Sequence, residues 1–279
     1  MNMGAVSTRT QPERSRWAPT VPERIGPLAT VQNGLQLAWR SVLKIKANPE
    51  EVFGLMLQPV MFVTLFVFVF GQAMMGDWQS YRDFLMPGII AQSVIFATLG
   101  TGFSLSQDVE KGIFDRFRSL PIARSAPLTG AILGDLVRYT ITVVMVLLVG
   151  LLIGFRPEGG VAGVVVAAAL VLLFAFALCW MSAFVGMIVR TPMAVQAFGM
   201  ILMFPLTFSS SAFVSPDDMP GWLRVVAANN PVTHVVDAMR GLMLDTGGVA
   251  GSVLWTVVWA AIITAVFFPL AVWAYRRRT

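Results

Sequence analysis

The sequence predicts an all-α integral membrane protein: six transmembrane helices, an N-terminal amphipathic interfacial helix, a short cytoplasmic helix after span two, and two short outer helices between spans five and six. Three observations predict it. Of 279 residues, 56% are hydrophobic and 13% charged, with a mean hydropathy of +0.73. A soluble domain carries roughly 25% charge, so too few charges are present to coat a globule, and the remaining apolar surface must face lipid. Charges then cut the chain into uncharged runs at 52–76, 84–107, 139–155, 159–189, 191–216 and 246–275. A hydrocarbon core needs about 20 helical residues, and all but 139–155 exceed that. Finally, basic residues segregate. With both termini inside, 16 of the 20 Lys and Arg fall on the inner side, leaving Arg82, Arg156, Arg224 and Arg240 outside.

Residues 1–30 carry Pro12, Pro19, Pro22, Pro27 and scattered charge without an apolar run. They predict a disordered cytoplasmic tail and no cleavable signal peptide. The membrane domain is expected over 31–279. Within 31–47, Val31, Leu35, Ala38, Trp39, Val42, Leu43 and Ile45 mostly follow steps of three and four, opposite Gln32, Asn33, Gln36, Arg40 and Lys44. This is an amphipathic helix along the inner interface, either a plain anchor or an elbow that receives force from a cytoplasmic partner.

Spans are expected at about 52–74, 84–106, 132–155, 161–189, 193–213 and 249–274. Between spans two and three, Phe114, Phe117 and Leu120 share one stripe of a short helix among Asp108, Glu110, Lys111, Asp115, Arg116 and Arg118, and Pro121 stops it. Such a stripe either docks into a partner's cleft or packs on the protein's own helix ends. Span three carries Asp135 and Arg138 at its mouth, spaced to pair on one helical face as a structural ion pair. GAILG (130–134) and GLLIG (150–154) fit a small-xxx-small contact, within the subunit or at a dimer seam. Val161–Leu178 is apolar on every face, as a helix in lipid is.

Pro205 interrupts span five, and the hydroxyls of Thr207, Ser209, Ser210 and Ser211 are expected to satisfy carbonyls the proline frees. Beyond it, Ser215-Pro216-Asp217-Asp218 starts one helix. Asn229-Asn230-Pro231 closes that helix and opens another, with Trp222, Val225 and Val226 on the first apolar side and Val232, Val235, Val236, Met239 and Met243 on the second. His234 is read as a surface or packing histidine rather than a proton relay.

Several functions are excluded by counting. One cysteine, Cys179, forms no intrachain disulfide, and one histidine builds no multi-histidine metal site. The net charge of +5 is a membrane-orientation signal, so no nucleic acid is expected. A phosphate-binding Gly-Lys-Ser/Thr is missing, because none of Lys44, Lys46 and Lys111 follows a glycine. Catalytic residues are not expected, nor an ion relay at mid-bilayer. What remains is a transport subunit driven by a separate chain; a non-transporting scaffold is the reading from another class.

Two stretches make the chain similar to a known family. DVEKGIFDRFRSLPIARSAPL (108–128) resembles the inner loop, and SSAFVSPDDMPGWLRVVAANNPVTHVVDAMRGL (210–242) resembles the outer signature, of type-2 ATP-binding-cassette (ABC) transporter permeases, daunorubicin/antibiotic-resistance exporter branch. The resemblance covers about 31–275. It implies a permease without its own ATPase site, paired with a second permease copy or homologue. A separate ABC ATPase subunit would carry ATP and Mg, in a bacterial plasma membrane. It makes the loop helix a coupling helix, with Asp108, Glu110, Lys111, Gly112, Phe114, Arg116, Phe117 and Arg118, together with Trp39 and Arg40, as ATPase contacts. It implies a translocation path along spans two and five, mapped onto Gln92, Phe96, Phe198, Met203, Phe204 and Phe208. The implied cargo is an amphipathic drug, antibiotic or natural product; the alternative is a polysaccharide or lipid-linked envelope precursor.

Overall fold

The computed structural model describes residues 57–112 and 126–278, and every element among them is helical. In order these are α1 (Leu57–Met75), α2 (Trp78–Ala97), α3 (Leu99–Glu110), α4 (Ala126–Leu152), α5 (Gly160–Ile188), α6 (Pro192–Phe208), α7 (Gly221–Asn229), α8 (Pro231–Leu244) and α9 (Ala250–Arg278). Five helical stretches are long and apolar enough to cross a membrane: Leu57–Met75, Trp78–Glu110, Ala131–Leu152, Gly160–Ile188 and Ala250–Tyr275. Pro192–Phe208, at the fifth expected span, is apolar but shorter, with 17 residues. Helices α7 and α8 fall in the segment where two short helices were expected, but the first begins at Gly221: Ser215 caps only a separate 3-10 turn, Pro216–Asp218, by accepting from the Asp217 N–H. The tail, the amphipathic segment 31–47 and the loop stripe of Phe114 and Phe117 lie outside the described residues.

Span two differs from its expected limits of 84–106. It starts at Trp78 because charge does not end it: Asp77 caps it by accepting from the Ser80 N–H at 2.9 Å, and Arg82 pairs with Asp83 at 2.8 Å. It then continues past Thr98 to Glu110, with a break in the regular helix at Thr98. There the Thr98 N–H is shared between the carbonyls of Val94 and Ile95, and the hydroxyl folds back onto Ile95 O at 2.6 Å. A π-helical turn, Thr64–Phe70, also departs from the expected regular helix of span one.

Span five ends at Phe208 rather than 213. Of the hydroxyls near Pro205, only that of Ser210 reaches a last-turn carbonyl, and it helps close the helix end instead of serving the carbonyl the proline frees; Ser211 Oγ donates to Asp237. Ser210 donates to Thr207 O, the Asn230 side-chain amide donates to Leu206 O at 2.7 Å, and the Ser209 N–H reaches Pro205 O at 2.9 Å. Last-turn carbonyls have no partner inside their own helix, which is why these donors gather there.

Span two is the most enclosed crossing, with 67% of its apolar window buried against 17% for Ala250–Tyr275. Its α3 half meets α5 at near backbone contact. A Cβ at Gly102 would collide with the Ser182 carbonyl, and one at Gly186 with the carbonyl of Gly102. The Gly102 N–H also reaches Ser182 Oγ at 3.2 Å. Small residues allow this approach, and it maximises dispersion where lipid supplies no hydrophobic drive between helices. On its other side α5 carries α9, through Trp180 edge-on to Phe268 with centroids 4.7 Å apart. GLLIG serves a contact within the subunit: a Cβ at Gly150 would strike the Met86 methyl of α2, and Gly154 (φ +96°) turns the chain beyond α4.

Gly102→Val is expected to lower stability by about 3 kcal/mol, since neither backbone can give way. Thermal melting in detergent measures it, and Ser104→Val, on the exposed side of the same helix, is expected to melt within a degree or two of the parent.

Candidate functional site

A cavity of about 410 Å³ opens between α1, α2–α3, α4 and α6. Gln58 and Pro59 supply one wall, Ser93, Phe96, Ala97, Leu99, Gly100 and Phe103 the second, Arg138 and Thr142 the third, and Gln196 and Met200 the fourth. Its volume falls in the range of about 300–1,000 Å³ that holds a drug-sized molecule. Aromatic and thioether surfaces alternate there with amides, hydroxyls and one guanidinium. Its long wall is the stretch of span two that contains the Thr98 break.

The six residues expected along a path do not share one surface. Phe96 lines the cavity. Gln92 and Met203 are buried at 2% and 1% exposure, and Gln92 Nε2 has no hydrogen-bond partner among the described residues. Phe198 is 59% exposed on the outer side of α6. Phe204 and Phe208 stack on each other at 4.2 Å, and Phe208 stacks on Phe213 at 4.8 Å. Phe213 continues to Phe66 of α1 at 4.9 Å, with Phe62 and Phe70 adjoining Phe66. A phenylalanine column therefore joins spans one and five. Its α1 members were not singled out from the sequence, although Phe62, Phe66 and Phe70 recur every four residues.

Behind the cavity wall sits a buried polar chain. Asp135 Oδ1 and Arg138 Nη2 are 3.4 Å apart, each side chain 20% exposed. Thr101 Oγ1 donates to Asp135 Oδ2 at 2.6 Å, which leaves the Tyr139 hydroxyl, also 2.6 Å away, to donate to Thr101. The Cys179 thiol donates to Tyr139 at 3.3 Å. Spans two, three and four are thus linked by an ordered row of donors ending on a carboxylate, and such rows are strongest away from water. Tyr139 could have been found four residues after Asp135, on the same helical face; nothing in sequence pairs Thr101 or Cys179 with them.

At the opposite end of span two, Arg240 of α8 makes a second junction. Its guanidinium lies 3.8 Å over the Phe84 ring and donates to Phe84 O, Ser211 O and Asp237 Oδ1. Ser211 Oγ donates to the same Asp237 oxygen at 2.7 Å. Burial pushes the Arg240 pKa down to about 10, against the pull of Asp237. His234 stacks on Trp255 of α9 at 5.8 Å, and burial holds its pKa below the ordinary imidazole value, with Asp237 opposing.

Of the expected ATPase contacts, Asp108 and Glu110 end α3, while Lys111 and Gly112 close it: the Lys111 N–H bonds Gln107 O at 2.9 Å and the Gly112 N–H bonds Val109 O at 3.1 Å. Glu110 and Lys111 are exposed. Trp39, Arg40, Phe114, Arg116, Phe117 and Arg118 lie outside the described residues.

Residues 33–244 match the ABC-2 type transporter family. The chain is 37% identical over 256 residues to the daunorubicin resistance ABC transporter permease protein DrrB1 of Streptomyces coeruleorubidus, covering 92% of this chain and 90% of that protein. It is also 28% identical over 188 residues to the doxorubicin resistance ABC transporter permease protein DrrB of Mycobacterium tuberculosis, covering 67% of this chain and 65% of that one.

Asp237→Asn leaves the Arg240 charge enclosed with a weaker partner and is expected to cost about 2–3 kcal/mol of stability, read by thermal melting. His234 gives a pH signature. Its folded pKa lies below the unfolded value, so its contribution is complete above pH 6.5 and is lost as pH falls through the folded pKa. Melting compared at pH 7.5 and 5.5 is expected to show a larger loss in the parent than in His234→Phe.

Proposed function

This chain belongs to the ABC-2 type transporter family, and from that premise we propose that it is the membrane permease subunit of an ATP-driven exporter of amphipathic drugs or natural products. The observation that carries the reading is the 37% identity to a daunorubicin-resistance permease along nearly the whole of both chains. In this proposal the chain crosses a bacterial plasma membrane six times with both termini inside, and α6 is the short fifth crossing. It pairs with a second permease and with a separate ATPase that holds the nucleotide and Mg.

Planar aromatic cargo suits the cavity. Phe96 and Phe103 offer faces for stacking and Met200 an adaptable contact. Gln58, Ser93, Gln196 and Thr142 supply hydrogen bonds for carbonyls and hydroxyls, so a ligand with one flat apolar part and one polar edge leaves few groups unpaired. The phenylalanine column from Phe204 to Phe66 gives that cargo a second aromatic surface.

Coupling follows span two. ATPase closure pushes on the segment that begins at Glu110 and holds Phe114 and Phe117. The same helix forms the long cavity wall, so its displacement reshapes the wall about the Thr98 break. Nearly all the work is mechanical: one rigid element carries load from the cytoplasmic end to the binding surface.

With the partner ATPase present, drug is expected to stimulate ATP hydrolysis, and Glu110→Ala combined with Phe114→Ala is expected to remove that stimulation while leaving basal hydrolysis in place. Unchanged stimulation in the double variant defeats the coupling role of this segment. Met200→Ala removes a cavity contact worth about 1 kcal/mol and is expected to raise the drug concentration for half-maximal stimulation about fivefold.

A further inference from the structure

Two helix ends meet at the side of the protein remote from the junction of Arg240. α5 ends at Ile188 and α9 runs to Arg278, and between them lies a cleft of about 450 Å³ lined by Met187, Ile188, Arg190, Trp273, Ala274 and Arg277. Two of these six are arginines, and none of the described lining residues is an acid. Arg277 is held in place by its own helix, with its guanidinium 4.2 Å over the Trp273 ring. Below the charges the walls turn apolar and open outward: Ile188 is 52% and Trp273 46% exposed.

We propose that this cleft is a binding site for an anionic phospholipid, whose phosphate is taken by Arg190 and Arg277 and whose acyl chains run along Ile188 and Trp273. The two ends of the ligand are written in the two ends of the site. Guanidinium groups favour phosphate through paired, charge-assisted hydrogen bonds. A half-exposed tryptophan at the end of an apolar helix sits at headgroup depth. Basic clefts between membrane helices hold anionic headgroups, and juxtamembrane arginines are attracted to an anionic leaflet. A free phosphate would use the arginines and leave the apolar walls uncovered. The lipid would bridge the ends of spans four and six, adding a contact where α5 and α9 part. Assigning that end to the inner leaflet rests on the proposed topology; the lipid preference does not.

The test uses the full-length protein in nanodiscs of phosphatidylcholine with a minor fraction of phosphatidylglycerol, with native mass spectrometry counting retained lipid. The parent is expected to retain phosphatidylglycerol several-fold above its share of the bilayer. Arg190→Gln with Arg277→Gln is expected to bring retention down to that share, Arg190→Lys with Arg277→Lys to keep about half of the preference, and Arg224→Gln to leave it intact. A photoactivatable phosphatidylglycerol, cross-linked in the parent protein, is expected to label peptides 184–190 and 266–277. No preference in the parent, an undiminished preference in the Gln pair, or labelling confined to other helices each overturns the proposal. So does displacement of the lipid by millimolar glycerol phosphate, which would mark a site for the free anion. None of these results bears on whether the chain works with an ATPase, which drug-stimulated hydrolysis reads separately.

Discussion

The close crossing of α3 on α5 is the contact from which the rest of the arrangement follows. Gly102 lets the backbone of span two rest on Ser182 and Gly186, and the neighbouring Thr101 is tied through Asp135 and Tyr139 to span three. With that point fixed, the cavity wall at Ser93–Phe103 is set against α4 and α6, and the exposed end at Glu110 projects about 10 Å beyond it, at about 1.5 Å per residue. Wall, pinned crossing and projecting end belong to one continuous helical segment interrupted only at Thr98. A force at Glu110 therefore reaches the cavity without passing through a loop.

The polar groups occur where this mechanism needs fixed geometry. Hydroxyls, a thiol and an ion pair in a low-dielectric interior are costly unless each finds a partner. Here they form an ordered row from Cys179 to Arg138 that fixes three spans in register. At the other end of span two, Arg240 fastens α8 to the start of α2 through backbone carbonyls and the Phe84 ring. Two polar clamps thus fasten the enclosed helix, one at its start and one near Thr101, with mainly apolar surface between them.

Hydrophobic run length marked out the five stretches long enough to cross, because lipid imposes a length and an apolar composition that short-range sequence reports; the run at 191–216 yielded only the 17-residue Pro192–Phe208. Limits were legible only where charge coincides with a helix end. At span two Asp77 marks the true start, but Arg82 and Asp83 pair inside the first turns and shift the apparent limit to 84. Pro205 pointed to a disturbed helix, yet the donors nearby serve the helix end at Phe208, through the Ser210 hydroxyl and the Asn230 amide folding back from α8. The candidate site was half legible. Phe96, Phe204 and Phe208 lie on cavity or column surfaces, whereas Phe198 faces outward and Met203 is packed away. Composition says which residues suit an aromatic ligand; only helix rotation, set by distant glycine contacts, says which way they point.

The proposed function divides the labour: this polypeptide would form the route across the bilayer, and a different polypeptide would hydrolyse ATP. Reconstitution into liposomes tests it most directly. Permease together with its ATPase is expected to build a drug gradient only when ATP is supplied, and the permease alone is expected to build none under any ion gradient imposed. Uphill drug movement by the purified permease without an ATPase contradicts the account.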